Sequence, residues 1–245
     1  MNATDLEMLR AFEAEFEQPG LERVRQFLRY VSGQESVPAT DPLQESTRLY
    51  FPGLAASAWH DVAGFPWAPR VESASAEIKA ELAELLGPQG ARFSPYEDPH
   101  TKELGWKGWD TYPLYAAGKP FSRSVARCPR TMEVLRSVPH GSRQGMFSRL
   151  TPGAHLEPHT GGANLVLTCH LGLIVPDGCG IRVGNEVRSW EEGKVLVFDD
   201  SFIHEAWNRG SSPRVVLIWD VWHPGLAPEE ISAIVRLSKA FGRKI

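Results

Sequence analysis

Residues 165–222 read LVLTCHLGLIVPDGCGIRVGNEVRSWEEGKVLVFDDSFIHEAWNRGSSPRVVLIWDVW. Short apolar runs in this stretch are separated by turn residues at intervals of about eight to twelve positions, which is typical of an all-β domain. Gly184-Asn185 predicts a tight hairpin turn, and Glu192-Gly193 predicts a second turn. Because no helical pattern here is long enough to bridge parallel strands, the runs predict an antiparallel sandwich or barrel. The predicted strands cover residues 144–150, 165–174, 181–183, 186–189, 194–198, 204–208 and 215–222.

The sequence on either side of this stretch predicts helices. Residues 1–30 carry apolar side chains at three- and four-residue steps. Ser75 is expected to cap a further helix that stops at Gly87, and Pro129 to open another over residues 130–137. We therefore expect one domain with a mainly β fold and flanking helices. Its parts are a helical, aromatic-rich flank over 1–140, a β core over 141–226 and a C-terminal helix over 227–245.

Composition excludes several classes of protein. The chain has 245 residues and carries 26 Lys and Arg against 30 Asp and Glu. A net charge of −4 gives no basic surface for nucleic acid, and the longest apolar run, 215–219, is far shorter than the roughly 20 residues of a membrane span. Cys128, Cys169 and Cys179 form no Cys-x-x-Cys pair. We therefore expect a cytoplasmic protein with no nucleic-acid partner and no membrane partner.

Histidines are the first candidates for chemistry. His159 lies in the turn sequence EPHTGG, and His204 opens a predicted strand after FDDSF. Neutral imidazoles on adjacent strands of a sandwich can converge on one divalent metal. A lone histidine is more commonly a hydrogen-bonded structural or surface residue, so the histidines alone do not decide the function.

Arg214 adds a second kind of chemistry to this region. It follows His204 by ten positions and stands at the start of the apolar run VVLIWDVW. A permanently charged side chain there needs a partner, and a guanidinium fork suits a small carboxylate. A solvent-facing arginine at a strand edge is the alternative. Two histidines followed by this arginine form the ligand pattern of an iron(II)- and 2-oxoglutarate-dependent oxygenase.

Five motifs lie in order between residues 158 and 224: PHTG, HLGL, WEEGK, FDDSFIHE and DVWHP. On these motifs, residues 145–226 resemble the catalytic domain of the aspartyl/asparaginyl β-hydroxylase family, and the resemblance extends weakly upstream through WDTYPLY at 109–115. The resemblance implies a double-stranded β-helix, which is a jelly-roll or cupin-like fold. It also implies a dioxygenase that uses iron(II), 2-oxoglutarate and O2 to hydroxylate a C–H bond, with succinate and CO2 as coproducts.

The resemblance places the two iron ligands at His159 and His204. Many enzymes of this chemistry add an acid two residues after the first histidine, but this chain has Gly161 there. Asp200 matches an aspartate that holds a metal-bound water in this family, and such a carboxylate would orient the water. A turn role is the alternative for Asp200, and Asp199 is expected to be a turn residue.

The resemblance also implies a binding site for 2-oxoglutarate. Arg214 falls on the arginine that grips the distal carboxylate, with Ser148 as its hydroxyl partner. His170 falls on the histidine that contacts the carboxylate nearer the metal. Trp109 falls on an aromatic residue that lines the same pocket, and a buried core tryptophan is the alternative for it.

Two positions depart from the peptide-modifying members of the family. Thr168 stands where they have an arginine that helps bind a substrate carboxylate, and Leu104 stands where a second arginine is expected, although Lys102 and Lys107 lie close. Losing two cations from a pocket that must desolvate an aspartate argues against that substrate. We therefore expect the partner to be a small-molecule or peptide substrate: an amino acid, a peptide-bound residue or another metabolite.

Two alternatives remain beside hydroxylation. Gly161 also fits a halogenase, because halogenating members of the wider superfamily use glycine there to make room for chloride. A non-catalytic β-sandwich that binds a metal or small acid is the other alternative. Arg214 and Ser148 at the expected spacing favour an enzyme, and Asp200 favours water over chloride.

Overall fold

The computed structural model describes residues 3–45, 49–96, 106–138 and 141–241. Its helices are α1 (Ala3–Glu15), α2 (Glu22–Val31), α3 (Ala68–Ser73), α4 (Ser75–Leu86), α5 (Ser122–Arg127), α6 (Pro129–Arg136) and α7 (Pro228–Phe241). The predicted helices in the first thirty residues, before Gly87 and after Pro129 are confirmed, and α7 lies within the range 227–245 that was expected to be helical. The cap of α4 was predicted wrongly. Ser75 is the first helical residue, the N-cap position is Ala74, and no side chain caps the helix.

The strands are β1 (Trp59–His60), β2 (Ser94–Pro95), β3 (Trp109–Ala116), β4 (Lys119–Pro120), β5 (Gly141–Leu150), β6 (His155–His159), β7 (Val166–Ile174), β8 (Cys179–Val183), β9 (Glu186–Arg188), β10 (Val195–Phe198), β11 (His204–Asn208) and β12 (Arg214–Trp222). Each of the seven predicted strands is present, with ends that agree to within about three residues. The two-residue strands β1, β2 and β4 and the longer strands β3 and β6 were not predicted. His159 is the last residue of β6 rather than a turn residue after β5.

The strands form two antiparallel sheets. The major sheet has the order β1-β10-β7-β12-β5-β3-β2 with β4 beside β3, and the minor sheet has the order β6-β11-β8-β9. Apolar side chains from β5, β10 and β12 of the major sheet pack with those from β6, β8 and β11 of the minor sheet. Because the two sheets share this interior, the predicted sandwich is confirmed. The fold is a double-stranded β-helix.

The central strand β12 shows how the interior is built. Val216 and Ile218 belong to the cluster between the sheets, whereas Val215 and Leu217 belong to a second cluster on the outer face of the major sheet. Successive side chains of a strand point to opposite faces. Arg214 shares the parity of Val216 and therefore faces the interior between the sheets.

Helices cover the outside of the sandwich. Residues of α3, α4 and α6 pack on the outer face of the major sheet. A third cluster joins α1, α2 and α7 to residues 163–166. The division of the chain into flank, core and C-terminal helix stays a prediction. Within the described ranges, no helix is both long and apolar enough to cross a membrane. The three cysteines are buried and carry no disulfide.

Candidate active site

His159 and His204 stand side by side in the minor sheet. His159 ends β6, His204 begins β11, and the two residues are register partners. Their ring centroids are 4.1 Å apart. Main-chain pairing of β6 with β11 therefore brings together the two histidines that the sequence analysis singled out.

Backbone carbonyls fix the tautomer of both rings. Nδ1 of His159 lies 2.7 Å from the carbonyl oxygen of Glu157, and Nδ1 of His204 lies 2.9 Å from that of Phe202. Because a carbonyl only accepts, each Nδ1 carries the proton and each lone pair is on Nε2. Burial, and then the neighbouring His159, lower the pKa of His204 to about 3. Two imidazoles in this tautomer suit a divalent metal, so the donor set fits one.

Asp200 lies against Gly161, two residues after His159. The N–H of Gly161 donates to the backbone carbonyl of Asp200 over 2.6 Å. A Cβ at position 161 would lie 2.4 Å from Cγ of Asp200, closer than real Cβ contacts allow. Only glycine leaves room for this carboxylate. The acidic side chain that position 161 lacks is thus replaced in space by that of Asp200.

Thr168 contacts the same carboxylate. Its hydroxyl donates to Oδ2 of Asp200 over 3.2 Å. Thr168 is the residue that stands in place of a substrate-binding arginine, whereas Leu104 and Lys102, the other positions in that comparison, lie outside the described residues. In the described part of the chain, no group of three or more His, Cys, Asp or Glu side chains is arranged to hold a metal.

Arg214 is a buried cation on the interior face of β12. Its side chain is among the largest that are fully buried, Nη1 donates to the carbonyl of Ser148 over a long 3.5 Å, and Nε has no partner among the described residues. Burial lowers the pKa of the guanidinium to about 9, so it remains charged at neutral pH. A buried charge without a counter-ion is costly. The position therefore suits a small anion.

Ser148 and Trp109 extend this anion site. Ser148 is 1% exposed and lies on β5, next to β12. The indole N–H of Trp109 donates to Oγ of Ser148 over 3.0 Å. Because Oγ accepts from Trp109, its own hydroxyl proton remains to be donated. Trp109 thus reaches the site through Ser148.

His170 lies on β7 and faces the same interior. The indole N–H of Trp190 donates to its Nδ1 over 3.0 Å. Burial, followed by the charge of Arg214, holds the pKa of His170 well below its usual value. His170 is therefore neutral with its proton on Nε2, the tautomer that donates to a carboxylate.

An aromatic wall made of Tyr96, Trp106 and Trp109 stands beside the histidine pair. The rings of Tyr96 and Trp109 are stacked with centroids 4.0 Å apart, and Trp106 packs edgewise on His159 at 4.4 Å. Nε1 of Trp106 is buried and has no hydrogen-bond partner within the described part of the chain. The wall borders the site on the side of His159 and offers mainly apolar surface.

The loop between β10 and β11 is held by a buried polar network from the N-terminal flank. The side-chain amide of Gln44 donates to Oδ2 of Asp199 over 3.0 Å and to Oγ of Ser201 over 3.1 Å. Oδ1 of Asp199 accepts from the backbone N–H of Ser201 over 2.9 Å, which is the turn role predicted for Asp199. This network fixes the backbone on either side of Asp200.

Sequence reasoning missed four residues of this neighbourhood: Tyr96, Trp106, Trp190 and Gln44. Trp190 begins the WEEGK motif, so its motif was recognised without a role for the residue. Gln44 lies in a stretch without periodicity, and its contact with Asp199 spans 155 positions of sequence. No sequence signal reports a contact of that range.

The two antiparallel sheets and the paired histidines define a double-stranded β-helix domain with a candidate metal centre, and comparison with known proteins gives the family. The sequence profile described as aspartyl/asparaginyl beta-hydroxylase matches residues 72–224. The chain belongs to this family.

Named relatives differ in what they act on. Human aspartyl/asparaginyl beta-hydroxylase is 41% identical over 158 residues, 62% of this chain and 20% of the relative. The ornithine lipid ester-linked acyl 2-hydroxylase of Rhizobium tropici is 39% identical over 190 residues, 75% of this chain and 67% of the relative. The chain thus spans about a fifth of the length of the human relative. Among solved structures, a Trichoplax adhaerens prolyl hydroxylase in complex with a peptide fragment has a TM-score of 0.47 at 15% identity, covering 62% of this chain and 79% of that one.

Proposed function

We propose that the protein is an iron(II)- and 2-oxoglutarate-dependent dioxygenase that hydroxylates a C–H bond. One observation carries the proposal: a pair of imidazoles with Nδ1 tied to the backbone shares the sandwich interior with a buried arginine that has no carboxylate partner among the described residues. Metal donors and an anion site in one interior are what a metal-chelating keto acid needs.

In this proposal, His159 and His204 hold the iron through Nε2. The backbone carbonyls at Nδ1 orient both rings, so little reorganisation accompanies metal binding. Asp200 would accept a hydrogen bond from water at the metal and would partly balance the metal's charge. The hydroxyl of Thr168 and the clamped turn around Asp199 hold that carboxylate in place.

Arg214 and Ser148 bind the distal carboxylate of 2-oxoglutarate in this proposal. The guanidinium supplies charge and a fork of donors, and the Ser148 hydroxyl adds a further donor because Trp109 occupies one lone pair of its oxygen. His170 donates from Nε2 to the other carboxylate. When bound, iron(II) and the keto acid would supply the electrons that activate oxygen, and the protein would contribute position and exclusion of water.

We propose that the substrate carries no carboxylate at the reacting carbon. The hydroxyl of Thr168 donates to Asp200, and Trp106 of the aromatic wall packs on His159. An aliphatic C–H of an acyl chain, the group named in the Rhizobium relative, fits that surface better than an aspartate does. Amino acids and peptide-bound residues with uncharged side chains also meet this requirement and remain candidate substrates.

The two alternatives receive less support. A halide beside Gly161 would meet the carboxylate of Asp200, which repels it. A non-catalytic module that binds a metal alone would not need the buried arginine, and one that binds a small acid alone would not need the histidine pair. We also propose a cytoplasmic location, with which three buried thiols agree, and no nucleic-acid or membrane partner.

The test is turnover of the purified protein with iron(II), ascorbate, 2-oxoglutarate and oxygen. We expect succinate to form, and mass spectrometry to show oxygen-dependent addition of one oxygen atom to an ester-linked acyl lipid or an uncharged peptide. An aspartyl peptide serves as the charged comparison. Absence of succinate under every condition would contradict the proposal, and a chlorinated product in the presence of chloride would identify a halogenase.

A further inference from the structure

Trp190 is buried between two of the residues that the proposed function assigns to 2-oxoglutarate. Its indole N–H donates to Nδ1 of His170 over 3.0 Å, and the two rings lie nearly parallel, 21° apart. The face of the same indole carries the guanidinium of Arg214, with Cζ 4.5 Å from the ring centroid. The ring is 3% exposed. One side chain therefore contacts both groups through different parts of its structure.

The hydrogen bond selects one of two neutral forms of His170. An indole N–H only donates, so Nδ1 of His170 must accept and the proton must sit on Nε2. With the other tautomer, Nδ1–H would face an N–H, and Nε2 would present a lone pair to an incoming carboxylate. That arrangement would repel the ligand. Trp190 thus determines whether His170 is a donor or an acceptor.

The ring face supports Arg214 while no anion is bound. Among the described residues, Nε of Arg214 has no partner, and the hydrogen bond of its guanidinium is the long contact from Nη1 to the carbonyl of Ser148. The negative face of an indole attracts a guanidinium, most strongly where water is excluded. Stacking also limits the plane in which the fork lies, so its donors are oriented before the ligand arrives.

We infer that Trp190 is a positioning residue for cosubstrate binding: it sets the tautomer of His170 through its N–H and the plane of Arg214 through its face. The inference rests on the proposed function, because it assigns both side chains to one dicarboxylate. The two contacts can be separated by substitution. Trp190→Phe keeps an aromatic face and removes the donor, and Trp190→Leu removes both.

A matched control exists on the minor sheet. Trp207 also carries an arginine on its ring, with Cζ of Arg209 4.9 Å from the centroid, but it contacts neither His170 nor Arg214 in the described contacts. Trp207→Phe therefore makes the same chemical change on the same fold, away from the anion site.

The first measurement is the tautomer of His170, by nitrogen NMR of the metal-free protein labelled at histidine. In the wild type we expect a protonated Nε2 and an unprotonated Nδ1, and in Trp190→Phe a mixture of both tautomers. A protonated Nδ1 in the wild type would overturn the inference, even if the variants failed to fold.

The second measurement is anaerobic calorimetric titration of 2-oxoglutarate into the iron-loaded protein. Trp190→Phe should weaken binding by about three- to tenfold, the ratio that one net hydrogen bond produces, and Trp190→Leu should weaken it further. Trp207→Phe should bind as the wild type does. Equal affinities in all variants would refute the positioning role. A wild type that binds no 2-oxoglutarate would instead refute the proposed function, while the tautomer result would stand alone.

Discussion

The carboxylate of Asp200 fills the space in which a side chain at Gly161 would stand: a Cβ there would lie 2.4 Å from Cγ and 2.4 Å from Oδ1 of Asp200. The backbones of the two residues are also joined, by the hydrogen bond from the N–H of Gly161 to the carbonyl of Asp200. A carboxylate from the loop before β11 thereby lies beside the loop after β6. The carboxylate of Asp200 can occupy this space because residue 161 has no side chain.

Gly161→Ala should displace this carboxylate. The added methyl cannot share the space with Cγ of Asp200, and overpacking of this kind costs about 1–3 kcal/mol. Loss of a partner near the metal typically lowers metal affinity by about 10- to 100-fold. We expect iron to be removed by a chelator correspondingly faster, as followed by metal analysis. Gly64→Ala is the control, because a Cβ at 64 meets nothing within 4 Å. Unchanged iron retention in Gly161→Ala would show that Asp200 has no role at the metal.

His159→Ala should abolish turnover and stoichiometric iron binding, because the alanine variant keeps only one of the two paired imidazoles. His155→Ala is the matched control on the same strand. His155 lies four residues earlier, and its Nε2 pairs with Glu205 over 2.7 Å on a partly exposed surface. An exposed pair of this kind contributes little stability. Metal analysis after gel filtration should give iron in His155→Ala and little in His159→Ala. Full iron occupancy in His159→Ala would contradict the ligand assignment.

Arg214→Met should make the ligand-free protein more stable. It removes a buried charge that has no counter-ion among the described residues, and replacing buried ionic groups by apolar residues of similar volume can stabilise by about 1–4 kcal/mol. Denaturant unfolding of the metal-free protein measures the change. The same variant should bind 2-oxoglutarate more weakly by about 1.5–3 kcal/mol or more, because it loses a charged hydrogen-bond donor.

Arg149→Met provides the comparison for Arg214. Arg149 lies on the neighbouring strand β5, but its guanidinium pairs with Asp110 over 2.7 Å and covers the ring of Phe93 at 4.9 Å. Its removal should lower stability slightly and leave 2-oxoglutarate affinity unchanged. If Arg214→Met lost as much stability as Arg149→Met, Arg214 would be a structural residue rather than an anion site.

Most strands that the sequence predicted carry several apolar residues, whereas β9, with only the exposed Val187, was predicted from the Gly184-Asn185 turn before it. The strand β12, VVLIWDVW after Arg214, is buried on both faces and stands out as a continuous apolar run. In contrast, β6 reads HLEPH, in which Leu156 is the one buried residue, so it has no apolar alternation. The strand β3 contains Pro113, which is exposed and lies where the pairing with β5 shifts register. Proline within a strand normally argues against one, except at such an irregularity.

The sequence names candidate site residues at positions where the residue type allows few roles. Arg214 at the start of an apolar strand and Gly161 in place of an acid each restrict the possible chemistry. The family motifs locate both residues in the sequence. The roles of Trp190 and Gln44 depend on contacts between distant parts of the chain. Nothing in the local sequence distinguishes Trp190 from other core residues or Gln44 from other residues of the flank. Their contacts with His170 and Asp199 are therefore seen only in the structure.

Gln44→Leu should loosen the loop that carries Asp200. Leucine nearly keeps the volume of glutamine but leaves Oδ2 of Asp199 without its amide donor in a buried position. An unsatisfied buried group costs about 1–3 kcal/mol. We expect lower stability in urea and faster loss of iron. The control is Thr40→Val, which removes only the hydroxyl that contacts Tyr50 at the edge of this network. It should change the stability in urea and the rate of iron loss less than Gln44→Leu does. Equal behaviour of the two variants would show that the network does not support the site.

His223 should make folding depend on pH between about 4 and 6.5. It is 3% exposed, and burial, with smaller effects of His60 and Arg23, lowers its pKa from 6.5 to about 4. The unfolded chain then binds more protons in this window, so stability is complete above pH 6.5 and falls as the pH drops towards 4. At about 1.4 kcal/mol per pKa unit, the loss is about 3 kcal/mol. Gln replaces both hydrogen-bonding functions without titrating, so urea unfolding of His223→Gln should show a flatter pH profile. The remaining slope would come from other groups, among them His60, whose pKa burial also lowers. Identical slopes in wild type and variant would mean that His223 is protonated in the folded protein as readily as in the unfolded chain.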